Sequence, residues 1–182
     1  MNETIRFAVG ETSLGTGLVA CSDAGIACLA LGDGRAALVA ELRQRFADSQ
    51  PIEDGAGMAA IAAQALRFVE APWDGDTGLS LDLRGTGFQL QVWRALRAIP
   101  AGRTASYADI ARSIGRPAAA RAVARACGAN PVAVLVPCHR IVRQDGSRSG
   151  YRWGVERKRR LLEREAAAVA GRAYCRPSIG FP

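Results

Sequence analysis

The run Val134-Leu135-Val136-Pro137-Cys138-His139-Arg140-Ile141-Val142 pairs a candidate nucleophile with a candidate base. His139 is the only histidine in 182 residues, and it directly follows Cys138. An apolar run bounded by turn residues reads as a buried strand, so residues 132–136 are expected to carry Pro137-Cys138 out of the core. Cysteine reacts as the thiolate, and the surrounding cationic residues Arg140, Arg143 and Arg152 are expected to favour that anion. A histidine acting as base is commonly oriented by a third group on its other ring nitrogen. Glu165 is the best-placed carboxylate for that task in this part of the chain.

Upstream of this run, Thr86 is a candidate N-cap for a helix through Phe88, Val92, Trp93 and Leu96 that stops near Pro100. Ser106, with Asp109 three residues on, is expected to cap a short helix from Tyr107 to Ser113 ending at Gly115. Another helix should begin at Arg116-Pro117 and run through the alanine-rich stretch to Cys127, ending at Gly128. Two short helices joined by a glycine-containing turn describe a helix-turn-helix. Its second helix offers little beyond alanine, Arg121 and Arg125. Small side chains allow close approach to DNA, and arginine enters a narrow or opened groove.

The first 83 residues read differently. Residues 4–9, 18–21 and 26–31 are short apolar segments, with Gly15, Gly17 and Gly25 at expected turns, giving a small antiparallel meander. Helical spacing marks residues 36–46 and 58–69, residues 47–57 are expected to be a loop, and residues 79–83 alternate as a strand. Downstream of the cysteine, Gln144 to Ser147 reads as a turn. A final helix is expected from Val155 to about Ala168, and residues 171–182 as a flexible tail. The division is therefore 1–83 as a scaffold domain, 84–170 as a domain carrying the helix-turn-helix and Cys138, and the tail.

Composition narrows the class. The chain is 49% hydrophobic, with no apolar run long enough to span a membrane and no signal-like N-terminus, so a cytoplasmic protein is expected. Five cysteines at irregular spacing argue against a disulfide framework, and the lack of paired ligands disfavours structural zinc. Residues 1–83 carry 5 Lys/Arg against 12 Asp/Glu, whereas residues 84–164 carry 17 against 4. Base composition explains why only one cation, Lys158, is a lysine; it does not explain why acids avoid the second half. A polyanion, with nucleic acid foremost, is the expected partner. On these residues a hydrolytic cysteine enzyme built on Cys138, His139 and Glu165 stays open, although it would leave the helix-turn-helix without a use.

Pro137-Cys138-His139-Arg140, preceded by Asn130-Pro131 and followed by Ser149-Gly150-Tyr151-Arg152-Trp153-Gly154, resembles the O6-alkylguanine-DNA alkyltransferase family. The similarity is to the alkyltransferase half of bacterial adaptive-response Ada proteins, and Gly85-Thr86-Gly87-Phe88-Gln89, Ser106-Tyr107 and Arg121 fall in register. The resemblance implies a ribonuclease H-like α/β N-terminal domain, with antiparallel strands plus helices. A mainly α C-terminal domain with a winged-helix-like helix-turn-helix would follow. It implies minor-groove binding of double-stranded DNA by a monomer without metal or cofactor. O6-alkylguanine, and less readily O4-alkylthymine, would be flipped out and its alkyl group moved irreversibly to Cys138. By the same resemblance His139 acts through a water, oriented by Glu165. Tyr107 rotates the nucleotide and hydrogen-bonds the base, Arg121 fills the gap, and Asn130 ties the helix-turn-helix to the active-site strand. Ile141 and Ser149 read the base, and Arg125 and Arg140 join the DNA- and base-binding set. The alternative expectation is an alkylation-responsive transcriptional regulator with repair secondary. The cysteine pattern holds no counterpart of the Ada zinc cluster, so zinc-triggered switching is not expected.

Overall fold

The computed structural model describes residues 3–75, 77–143 and 150–174. Strands β1 (Arg6–Thr12), β2 (Gly15–Ser22) and β3 (Gly25–Gly32) form the expected antiparallel meander. Gly25 lies at φ 141°, and a Cβ there would meet the Ser80 carbonyl oxygen at 2.4 Å. Gly17, expected at a turn, instead lies inside β2 opposite Gly10. A Cβ on either would approach a Leu66 methyl within 2.4–2.6 Å, so the bare backbone makes room for a helix side chain.

Helix α1 (Arg35–Arg45) buries Leu38 and Leu42. The segment expected to be a loop contains a short strand, β4 (Ile52–Glu53), added parallel to β1, giving the sheet order β3-β2-β1-β4. Helix α2 (Ala59–Glu70) follows and buries Ala62, Ala65 and Val69. Six successive residues are buried in each of β2 and β3, so both faces of the sheet are covered.

The strand expected at residues 79–83 is reduced to one parallel bridge, Leu81 against Ile26. The strand expected at residues 132–136 is likewise a single bridge, Val132 against Leu29, after which the chain coils. Two segments share one edge of β3, each for only a bridge. The Val136 N–H donates back to the Val132 carbonyl at 3.2 Å, and Val134 sits at φ 64°, an uncommon and strained conformation for a β-branched residue. The apolar run is buried as a compact turn, which the periodicity of its residues cannot distinguish from a strand.

Helix α3 (Gly87–Arg97) has the expected Thr86 cap, a full capping box with Gln89. Strand β5 (Ala105–Ser106) precedes α4 (Tyr107–Ser113), which begins with the expected Ser106–Asp109 capping box. Gly115 turns the chain at φ 71°. A 3₁₀ turn over Pro117–Ala119 then precedes α5 (Ala120–Gly128), so the second helix starts later than its proline suggested. Trp93 of α3 donates from Nε1 to the Ala126 carbonyl at 2.9 Å, fixing α3 against α5. Strand β6 (Ile141–Val142) pairs parallel to β5. Helix α6 (Val155–Tyr174) continues past the expected end at Ala168 and through the first residues of the expected tail. One contiguous set of buried side chains runs from Ile5 to Leu161 through both halves of the chain. No helix among the described residues is long and apolar enough to cross a membrane.

Candidate active site and nucleic-acid interface

Cys138, His139 and Arg140 form one 3₁₀ turn, and all three are buried. Asn130, fully buried, organises the approach to it. Its Oδ1 accepts from the Val132 N–H at 2.9 Å, and its Nδ2 donates to the Val136 carbonyl at 2.8 Å and towards Cys138 Sγ at 3.3 Å. One side chain thus closes the Val132–Val136 turn and gives the sulfur a donor. Burial pushes the Cys138 thiol up to about 11, against the Asn130 hydrogen bond and the nearby charges of Lys158 and Arg152. At rest the group is a thiol, so reaction requires its proton to leave.

Behind the cysteine, His139 is fully buried, with Nε2 2.9 Å from Glu165 Oε1. Burial lowers the His139 pKa, with Glu165 pulling the other way, so the ring is neutral near pH 7. Against the upward push of burial, hydrogen bonds from His139 and Arg140 hold the Glu165 carboxyl down at about 2. With Glu165 ionised, the ring proton belongs on Nε2, and the Nδ1 lone pair is left without a partner among the described residues.

Arg140, expected on the DNA- and base-binding surface, points inward. Its Nη2 and Nε hold Glu165 at 2.8 and 3.1 Å, and the rest of its fork reaches the carbonyls of Ile99 at 2.6 Å and Pro72 at 3.3 Å. The planar five-donor fork suits a buried carboxylate. Glu165 also accepts from the Gly102 N–H at 3.1 Å, so α6 is fastened to the turn before β5.

The register of β5 against β6, Ala105 to Ile141 and Ser106 to Val142, brings Tyr107 beside the end of the cysteine motif. Tyr107 is half-buried at the first position of α4. The Ile141 carbonyl accepts from Lys158 Nζ, and Lys158 is fully buried. Lys158 was not singled out as a site residue. Two signals mark it: it is the chain's only lysine, and it stands seven residues before Glu165 on the same helix face. Tyr151, buried edge-on to His139, was also missed as a site residue. Ser149 and the turn expected at Gln144 to Ser147 lie outside the described residues, as does the chain beyond Tyr174.

Arg121 and Arg125 lie on the exposed side of α5, whose other side buries Val123, Ala126 and Cys127. Neither is brought to the cysteine turn. Their setting differs from that of most other arginines. Arg6, Arg35, Arg84, Arg152, Arg157, Arg159, Arg160 and Arg164 are each paired with a carboxylate, at least five of them through contacts between distant parts of the sequence. Arg121, Arg125, Arg94, Arg97 and Arg103 have no carboxylate partner among the described residues, and Arg116 lies over the Phe88 ring at 5.7 Å. Arg43, Arg45, Arg67 and Arg143 also have no carboxylate partner among the described residues, but the larger share of the unneutralised arginines lies on α3, α5 and the turns beside them.

Residues 87–167 match the family model of the 6-O-methylguanine DNA methyltransferase DNA-binding domain. The chain is 45% identical over 126 residues to the inducible methylated-DNA–protein-cysteine methyltransferase of Bacillus subtilis, covering 69% of this chain and 70% of that protein. The chain belongs to this methyltransferase family. Within the family it is 50% identical over 168 residues to the bifunctional transcriptional activator/DNA repair enzyme Ada of Escherichia coli. That match covers 91% of this chain and 46% of the relative, so the chain spans about half of Ada's length. The crystal structure of Mycobacterium tuberculosis OGT in complex with DNA superposes with a TM-score of 0.72 at 36% identity, covering 90% of this chain and 93% of that one. The methyltransferase fold, a mixed sheet with helices, is thus common to both.

Proposed function

We propose that the protein repairs DNA by moving the alkyl group of O6-alkylguanine, and less readily O4-alkylthymine, onto Cys138. The observation that carries this reading is the buried Cys138 thiol, with Asn130 donating towards Sγ and the His139–Glu165 pair directly behind it. Family membership supports it, as do relatives named methylated-DNA–protein-cysteine methyltransferases.

The chemistry follows from the side chains. The neutral His139 accepts the thiol proton through a water at Nδ1, and Glu165 stabilises the imidazolium that results. The thiolate attacks the alkyl carbon in line, an S–C bond forms, and the C–O6 bond breaks. The electron pair passes into the guanine ring, where the Tyr107 hydroxyl donates to the developing anion. The thioether is stable and no described group is placed to cleave it, so each molecule acts once.

The base must leave the stack to reach a buried sulfur. The unpaired arginines on α3 and α5 match the phosphate backbone, with Arg121 entering the gap left by the flipped base and Arg125 contacting the strand. Asn130 couples α5 to the cysteine turn, and Ile141 and Ser149 read the base edge. Arg140 has a different part from the one its sequence position suggested: it fixes Glu165. In this reading residues 1–83 are a ribonuclease H-like scaffold, residues 84–170 carry a winged-helix-like helix-turn-helix, and the protein works as a cytoplasmic monomer on double-stranded DNA.

Incubation with duplex DNA carrying label in the methyl of O6-methylguanine tests this. Label should appear on the peptide containing Cys138, with at most one methyl per protein. Label that stays in DNA, or leaves as methanol, would overturn the reading.

A further inference from the structure

Three buried side-chain nitrogen or oxygen atoms are without a hydrogen-bond partner among the described residues, and they belong to one cluster. They are His139 Nδ1, the Tyr151 hydroxyl and Trp153 Nε1. The Tyr151 ring stands edge-on to His139, centroids 6.4 Å apart at 78°, and edge-on to Trp153 at 5.2 Å. Tyr151 is 9% exposed and Trp153 5%. Folded proteins seldom leave such groups unsatisfied, and buried polar atoms without a protein partner are where an ordered water belongs. Burial raises the Tyr151 pKa well above 10, so the phenol stays protonated and acts as a donor.

We propose that Tyr151 is a positioning residue for deprotonation of Cys138, its hydroxyl holding, together with His139 Nδ1, the water through which the thiol proton leaves. This rests on the alkyl-transfer reading only in taking Cys138 as the acceptor. The water oxygen takes the proton from Sγ and passes one of its own to Nδ1. The sulfur keeps the electron pair of the broken S–H bond, and His139 becomes an imidazolium facing Glu165. Tyr151 donates to the remaining lone pair of the water and is itself unchanged. Trp153 packs on the phenol ring and restricts its swing. A phenylalanine would fill the same volume, but it could not orient the water.

Tyr151→Phe in the full chain tests the assignment, because it preserves the packing and removes one oxygen. Labelling of Cys138 by iodoacetamide, followed by peptide mass from pH 6 to 10, needs no DNA. The labelling profile should move to higher pH by about one unit, as expected when a proton relay loses the partner that orients it. Single-turnover methyl transfer near pH 7 should fall about tenfold, the worth of one hydrogen bond. A purely structural tyrosine would leave both unchanged, and removing a hydroxyl that binds nothing would raise the urea midpoint. An unshifted labelling profile overturns the proposal, whatever the midpoint does. Wild-type protein that fails to accept label from DNA would instead overturn the alkyl-transfer reading, and the iodoacetamide profiles would still decide the role of Tyr151.

Discussion

Replacing Asn130 by alanine tests the link between the backbone turn and the chemistry. Asn130 is fully buried and serves three partners: the Val132 N–H, the Val136 carbonyl and Cys138 Sγ. The Val136 carbonyl also accepts from the Cys138 N–H at 2.8 Å, so it keeps one bond after the change. The Val132 N–H loses its acceptor, and an orphaned buried donor costs about 1–3 kcal/mol. Truncation of a buried side chain and loosening of the turn that holds Val134 at φ 64° add to this, giving a total of roughly 2–4 kcal/mol. With a urea m-value of about 2 kcal/mol/M for a chain of this size, the midpoint should fall by about 1–2 M. The rate effect is separate. A hydrogen bond to a charged acceptor is worth about 1.5–3 kcal/mol, so loss of the donor to the thiolate should slow single-turnover transfer by about 10- to 100-fold. Urea unfolding by circular dichroism and quenched-flow transfer from labelled duplex measure the two effects on one preparation. A midpoint unchanged from wild type together with a rate within about twofold would refute the assignment of both roles to one amide.

Four further outcomes are expected. Cys138→Ala should abolish methyl transfer in the label assay while leaving duplex affinity, measured by fluorescence anisotropy, close to wild type. Arg121→Ala should slow repair of duplex DNA far more than reaction with free O6-methylguanine base; equal losses on both would contradict a role in the groove. Arg125→Gln should flatten the dependence of log affinity on log salt by about 0.9 for one lost phosphate contact, read from a salt titration. Stability should decline in acid. Glu165 is held at about 2 from an ordinary 4.5, so its contribution is complete above pH 4.5 and disappears as pH falls through 2. The shift corresponds to about 3 kcal/mol. The lowered pKa of His139 acts in the same direction below its ordinary value of 6.5. Urea midpoints from pH 7 to 2.5 should therefore fall steadily, and Glu165→Gln should flatten the part below pH 4.5.

Much of the site was legible from local pattern. Capping residues act on the next three backbone N–H groups, so Thr86 with Gln89 and Ser106 with Asp109 could be read as helix starts without any tertiary knowledge, and both capping boxes are present. The charge split could be read the same way. Which arginines remain unpaired could not, because Arg84, Arg152 and Arg157 find their carboxylates across the fold, at Glu3, Glu41 and Asp33.

The same contrast holds around the cysteine. Adjacency in sequence marked Cys138 and His139, and helix position marked Glu165 as a candidate partner. Arg140 was assigned to the wrong side, since a turn of three residues sends neighbouring side chains in different directions and only the packed neighbours decide which one faces inward. The run leading to Cys138 was apolar enough to be a strand, yet β3 has room for a single bridge there and Asn130 closes the rest into a turn. Tyr107, Lys158 and Tyr151 reach this region through the β5–β6 pairing, the α6 packing and the aromatic edge contacts. Sequence by itself determined which residue types can react and where helices start, because both depend on groups within a few bonds or one helical turn. Only tertiary structure decided which charges are spent, which polar atoms are left over and which way each side chain faces, because those depend on partners dozens of residues away.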